Sequence, residues 1–201
     1  DFGKEWNSFD QSNLSEKELI NNFNQYFSVF PLQELDRDKE GFDLGCGSGR
    51  WAKLIAPKVK KLNCIEPSID AINVAKKNLN DFSNVTFYNN NFQNTKIDEN
   101  SQDFGYCLGV LHHTNDINEG LNFCNKILKK NGLFLIYLYY NLDNRPMYYK
   151  IIWKLSNFLR FIISNLPFKL KKLVTDFIAT FVYFPLVVII KVLESIGIRT
   201  N

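Results

Sequence analysis

The sequence predicts an α/β chain: a doubly wound, mostly parallel sheet with helices on both faces. Three observations lead there. Short apolar runs alternate with longer amphipathic stretches from residue 41 to about residue 140, and strands separated by helical crossovers pair in parallel. A glycine-rich turn, Gly45-Cys46-Gly47-Ser48-Gly49, stands where the first run gives way to the first amphipathic stretch. A carboxylate, Glu66, ends the second apolar run, 17 residues beyond Gly49.

Taken in order, residues 1–40 are polar with spaced aromatics (Phe2, Trp6, Phe9, Phe23, Tyr26, Phe27, Phe30) and read as an N-terminal helical arm. Ser15-Glu16-Lys17-Glu18 has the spacing of a capping box just ahead of Leu19-Ile20. Residues 41–145 hold the sheet. Strands are expected at 41–44, 61–66, 84–88, 103–110 and 133–140, with helices at 49–57, 68–79 and 116–130, the last closed by Asn131-Gly132. After Pro146 the strand pattern stops and two helical blocks follow, 147–164 and roughly 168–196. The apolar run 177–190 has 14 residues and contains Pro185, short of the roughly 20 needed for a membrane span, so a buried or lid helix is expected there.

Composition excludes several classes. The 201 residues carry 24 Lys plus Arg against 21 Asp plus Glu, a net charge of +3, too small a surplus to point to nucleic acid. With 45% hydrophobic residues the chain is not disordered. Cys46, Cys64, Cys107 and Cys124 lie far apart without a C-x-x-C pair. No metal site is therefore expected, and reduced thiols in a cytoplasmic protein are the simplest reading. No secretory leader pattern opens the chain, and the start without Met and the ending at Asn201 suggest a fragment.

Chemistry gathers around Asp43-Leu44-Gly45-Cys46-Gly47-Ser48-Gly49-Arg50. In open parallel sheets ligands bind beyond the carboxyl ends of the strands, and glycines there admit a ligand close to the backbone. A dinucleotide fingerprint would place its third glycine where Arg50 stands, and a phosphate loop would follow its glycines with Lys and Ser or Thr. Neither pattern fits. Glu66, followed by Pro67 and Ser68, is placed to accept both hydroxyls of a ribose.

An acidic residue two positions before G-x-G-x-G, a carboxylate ending the second strand, Asn89-Asn90-Asn91-Phe92 after the third, and Asp103 through His113 along the fourth together resemble the class I S-adenosylmethionine-dependent methyltransferases, in their small-molecule branch. The resemblance covers roughly residues 41–140 and implies a Rossmann-like methyltransferase fold. It implies S-adenosylmethionine as cofactor and S-adenosylhomocysteine as product. Carried onto this chain, it assigns cofactor binding to Asp43, Gly45, Cys46, Gly47, Ser48, Gly49, Arg50, Glu66, Pro67, Ser68, Asn91, Phe92, Leu108, Gly109 and Val110. Asn91 would meet the adenine amino group and Phe92 would cover the ring. The backbone at Leu108 and Gly109 would lie beside the methionine end, with the following residues facing the acceptor. His112 and His113 are the only histidines and the candidate catalytic residues. Two readings stay open for them, positioning and packing, or proton transfer with His112 as general base. Tyr137, Tyr139, Tyr140 and Asn141 end the fifth strand and are candidates for the acceptor wall.

The resemblance further implies methyl transfer by in-line displacement to a small-molecule, glycan- or lipid-linked acceptor. The alternative is a non-catalytic nucleoside-binding module. The last two strands of that fold, an antiparallel edge hairpin, find no match. Residues 146–201 thus read as a helical lid or insertion in a truncated chain, similar to an uncharacterised bacterial methyltransferase group. That segment carries 8 Lys plus Arg and 2 acids. Its basic and aromatic mixture suggests either a lid over the acceptor or peripheral contact of residues 146–196 with the inner membrane.

Overall fold

The computed structural model describes residues 15–139 and 145–197. Five strands form one sheet: β1 (Glu40–Leu44), β2 (Lys61–Ile65), β3 (Val85–Tyr88), β4 (Gln102–Leu108) and β5 (Leu128–Tyr137). The spatial order is β3-β2-β1-β4-β5, and every neighbouring pair is parallel. From β1 the chain builds outward one way through β2 and β3, then returns to the other side of β1 with β4. The carboxyl ends of β1 and β4 therefore flank the point where the winding reverses, the place where such sheets open a crevice.

Both faces of the sheet are covered, and the strands alternate between them with a period of two. On one face Leu62, Cys64, Phe104 and Tyr106 pack with Trp51, Ala52 and Ile55 of the α2 region (α2, Ala52–Ile55) and with Ala75 and Leu79 of and just beyond α3 (Ile69–Asn78). The expected N-terminal arm joins that layer through α1 (Glu16–Tyr26) and the turn after it. Phe23, Phe27 and Phe30 are buried, and the Phe27 ring lies 5.3 Å from Tyr106. On the opposite face Phe42, Leu44, Ile65 and Cys107 pack against Leu111 and against Cys124 and Ile127 of α4 (Ile117–Ile127). All four cysteines are buried free thiols.

Helix starts follow local chemistry. Ser15 Oγ accepts from the Glu18 amide while the Glu18 carboxylate accepts from the Ser15 amide, closing the expected capping box. Ser68 caps α3 and Asp116 caps α4. Two boundaries depart from expectation. The helix expected over 49–57 is α-helical only over Ala52–Ile55, with a tighter turn at Ala56–Lys58, because residues 49–51 belong to the glycine turn and Pro57 has no amide to donate. The helix expected to run to Lys130 stops at Ile127, since Leu128 already pairs with Gln102. Between the pairs Gln102↔Leu128 and Phe104↔Leu133 the β5 side carries extra residues, and Asn131 there adopts φ 66°. Asn131-Gly132 therefore shapes a bulge in a strand instead of ending a helix.

At the centre of the sheet β1 and β4 exchange rings for hydrogens. A Cβ on Gly105 would fall 2.2 Å from the Phe42 ring, and one on Gly41 would fall 2.3 Å from the Phe104 ring. Gly105→Ala should therefore lower stability by about 1–3 kcal/mol, the usual cost of overpacking, read from the denaturant midpoint at unchanged slope.

The described residues 145–197 lie in a second compact unit. It contains α5 (Met147–Ser164), α6 (Phe168–Ile178), a widened π-type segment at Ala179–Tyr183 and α7 (Phe184–Ser195). The helical path is continuous from Leu170 to Leu193, 24 residues, and none of its apolar core stretch is buried. The helical block expected over roughly 168–196 is thus present, but its apolar run is not buried as one of the two expected readings had it. Pro185 does not break the path. It has no amide to give the preceding turn, and the π-type segment immediately before it loosens that turn.

Candidate active site

The turn between β1 and α2 is built from three left-handed glycines, Gly45 (φ 77°), Gly47 (φ 55°) and Gly49 (φ 76°). Its amides are fixed. Gly45 and Cys46 donate to the Ile65 carbonyl at 2.8 and 3.2 Å, and Gly49 donates to Cys46. Gly47 donates to the Glu66 carboxylate at 3.1 Å, while the other Glu66 oxygen accepts from the Ser68 amide at 2.9 Å. Two glycines are also demanded by neighbours: a Cβ on Gly45 would meet Val110 at 2.4 Å, and one on Gly49 would meet Leu79 at 2.7 Å.

This turn walls a cavity of about 180 Å³ whose other sides are Leu108, Gly109 and Val110 from the end of β4 and Tyr137 and Tyr139 from the end of β5. Asp43, Cys46, Ser48 and Arg50 line it as well. Most of the predicted site thus comes together at the winding reversal, although its residues are spread over more than 60 positions from Asp43 to Val110. Tyr26 and Trp51 complete the wall, and neither was among the predicted site residues. The Tyr26 ring lies 5.3 Å from Trp51 and 5.4 Å from Tyr137, and the Arg50 guanidinium sits 4.2 Å over Trp51. The one sequence signal for Tyr26 was the run of spaced aromatics in the arm.

Electrostatics at the cavity are unusual. Asp43 is 2% exposed, and its Oδ2 finds no hydrogen-bond partner among the described residues. Burial pushes its carboxyl up to about 8, helped by the Glu66 charge, while Tyr106 and Arg50 offset only part of the rise. Ser48 Oγ is likewise buried without a partner. Burial also raises Glu66, with its two amide donors pulling the other way, and lowers Arg50, which Tyr26 and Asp43 partly restore. Buried polar atoms without partners are costly, and a cavity lined by them suits a ligand that brings both donors and acceptors.

Other predicted residues lie elsewhere. Glu66, Pro67 and Ser68 sit behind the turn, with Glu66 bracing it through Gly47. Asn89 Nδ2 donates to the Glu66 and Pro67 carbonyls at 2.9 and 3.1 Å, which ties the ends of β2 and β3 together. The Asn91 side chain is occupied locally: Oδ1 accepts from the Asn94 amide at 3.1 Å and Nδ2 donates to Gln93. Phe92 is buried and packs 6.0 Å from Phe123, lining a separate cavity with Gln93 and Glu119. The His112 ring lies 4.1 Å from both His113 and Tyr139, so it reaches the cavity wall through Tyr139. Neither His112 nitrogen has a hydrogen-bond partner among the described residues. Burial and the neighbouring His113 hold its imidazole below the ordinary value. Tyr140 and Asn141 lie outside the described residues, and no cluster of metal-binding side chains occurs among the described ones.

Comparison with known proteins agrees with this geometry. Residues 42–136 match the family model described as a methyltransferase domain. Among solved structures, BH2331 of Bacillus halodurans, named as a methyltransferase, is 20% identical over 67% of this chain and 58% of its own, with a TM-score of 0.55. A Galdieria sulphuraria protein named as a sarcosine dimethylglycine methyltransferase is 23% identical over 58% of this chain and 46% of its own, with a TM-score of 0.53. YcgJ of Bacillus subtilis is 20% identical over 61% of this chain and 50% of its own, with a TM-score of 0.51. The chain thus spans about half the length of these structures. No curated protein gives a significant match. Over residues 42–136 the chain is therefore similar to a methyltransferase domain, and its parallel sheet has the fold of these methyltransferase structures.

Proposed function

We propose that the chain carries a methyl group from S-adenosylmethionine to a small-molecule, glycan- or lipid-linked acceptor in the cytoplasm. The observation that carries this reading is the cavity at the winding reversal, with Asp43 Oδ2 and Ser48 Oγ buried and unpartnered beside a turn of left-handed glycines. The cofactor supplies a methyl group already activated on a sulfonium sulfur, so the protein's task is alignment and exclusion of water. The glycine turn lets the ligand approach the backbone, and Glu66 keeps that turn in shape through Gly47. Asp43 offers a carboxylate to an ammonium, and Arg50 offers a guanidinium to a carboxylate, matching the two charged ends of an amino acid. Tyr26, Tyr137 and Tyr139 present rings that keep water out and favour a neighbouring cation.

In this reading His112 takes a proton from the acceptor, its ring standing against Tyr139 of the cavity wall with neither nitrogen hydrogen-bonded among the described residues. An imidazole held below about 6.5 is neutral at physiological pH and therefore able to accept. His112→Ala should lower kcat about 100-fold or more on a hydroxyl acceptor while leaving cofactor affinity unchanged. The acid limb of the wild-type profile should fall below pH 6.5, because the depressed imidazole stays unprotonated to lower pH. Incubation with methyl-tritiated S-adenosylmethionine and fractionated cell extract tests the reading as a whole. Label should pass to a low-molecular-mass or solvent-extractable fraction, and binding without transfer to any fraction would refute the enzyme reading.

A further inference from the structure

The second unit wears its apolar residues outside. In α5 the half-buried positions are Lys150, Ser156, Asn157 and Ile163, three of them polar, whereas Ile151, Leu155, Phe158, Leu159 and Ile162 are exposed. In water that arrangement is unfavourable, because burial should select the apolar side chains. The same inversion continues beyond α5. Phe177, Phe181, Phe184, Val187 and Ile189 are each exposed along the helical path from Leu170 to Leu193. Here apolar residues surround the helix with no polar face between Phe177 and Ile190 except Thr180 and Tyr183.

Length and charge identify what fits this surface. Between Lys172 and Lys191 lie 18 residues, about 27 Å of helix at the standard rise, against about 30 Å of bilayer hydrocarbon. Lysines bracket the stretch at both ends, Lys171 and Lys172 before it and Lys191 after it, where their stems can extend to headgroups. Its single acid, Asp176, stands one turn from Lys172, near that edge. On α5 the cations Lys150, Lys154 and Arg160 share one stripe with Asn157 and Ser164 by helical spacing, opposite Ile151, Leu155 and Ile162. The segment 146–201 has 8 cations to 2 acids, a balance complementary to anionic lipid and poorly suited to pairing with a second copy of itself.

We propose that residues 147–193 form a membrane anchor, with Leu173–Ile190 embedded in the hydrocarbon of an anionic bilayer and α5 lying in its headgroup layer through Lys150, Lys154 and Arg160. The proposal does not depend on methyl transfer, since it rests on a unit separate from the cofactor cavity. It gives the acceptor question a direction: a domain held at a bilayer meets amphipathic, membrane-borne acceptors at high local concentration.

Flotation of the full chain with vesicles of phosphatidylcholine, with and without phosphatidylglycerol, tests it. The chain should rise with both, a larger share of it with phosphatidylglycerol present, and resist extraction at alkaline pH. Val182→Glu combined with Ile189→Glu should return at least nine-tenths of it to the aqueous fraction, since carboxylates in hydrocarbon are strongly disfavoured. Lys150→Glu with Lys154→Glu and Arg160→Glu should retain flotation and lose the preference for phosphatidylglycerol. S-adenosylhomocysteine binding by the same variants reports that the first unit is folded. A full chain that stays in the aqueous fraction with both vesicle types overturns the proposal, as does a homodimer in solution that Val182→Glu and Ile189→Glu dissociate without any vesicle binding by the parent. Loss of cofactor binding with flotation intact would count against the methyltransferase reading and leave the anchor standing.

Discussion

Gly45→Ala should abolish measurable binding of S-adenosylhomocysteine and lower Tm. Gly45 adopts φ 77°, where an L side chain costs about 1–2 kcal/mol, and its new Cβ would fall 2.4 Å from a Val110 methyl. The combined penalty of about 2–5 kcal/mol corresponds to a fall in Tm of roughly 4–20 °C for a chain of this size. Relief requires the turn to move away from Val110, which displaces the amides of Gly45 and Cys46 from the Ile65 carbonyl they share. Gly109→Ala is the control. Gly109 has φ 76° but nothing within 4 Å of a new Cβ, so it should carry the backbone cost without the clash. Adding Val110→Ala to Gly45→Ala should restore part of the Tm, which a purely conformational penalty would not allow. Thermal melts with and without ligand read all three variants.

Asp43 gives the second large effect, and its sign follows from linkage. Its folded carboxyl titrates at about 8 because of burial, whereas an exposed aspartate titrates near 3.9. Between those values the folded state holds a proton that the unfolded state has released, so stability falls as pH rises through the window, by up to about 1.4 kcal/mol per unit, and levels off above it. Asp43→Asn removes the ionisable group. Without ligand, the variant's Tm advantage over wild type should therefore grow from pH 5 to pH 8. A cationic ligand end reverses the balance by favouring the charged carboxylate. Cofactor binding near pH 7 should release a proton from Asp43, visible as a dependence of calorimetric heat on buffer ionisation enthalpy, and Asp43→Asn should bind about 10- to 100-fold more weakly with no such dependence. A wild-type heat that is independent of buffer would contradict this account of Asp43.

The parallel sheet and its glycine turn were legible in the sequence because both are written locally. Alternating apolar runs mark strands that are buried on both faces, and Asp43 through Arg50 follow one another in the chain. Every expected strand appears within a few residues of its predicted bounds, except that β5 starts five residues early. That exception is instructive, since Leu128 was drawn into β5 by Gln102 across the sheet, a partner no local pattern announces. The cavity wall shows the same division. Leu108, Gly109 and Val110 were reached by motif, while Tyr26 and Trp51 arrive through packing of the arm on the sheet. Asn91 and Phe92 went the other way: their motif suggested a ligand, yet the turn they start uses the Asn91 side chain and buries Phe92 beside Phe123. In the second unit the start of the first helix was readable from Pro146, but its outward-facing apolar surface was not, because hydropathy reports what a residue is and exposure depends on what surrounds it.

The central claim is that the cavity between the glycine turn and the ends of β4 and β5 is the S-adenosylmethionine site. Titration calorimetry of the full chain with S-adenosylhomocysteine at pH 7 addresses it most directly, with Gly45→Ala in parallel. The structure predicts one ligand per chain, proton release on binding, and loss of the heat in the variant; a wild-type chain that stays folded yet shows neither heat nor a Tm rise at saturating ligand would contradict it.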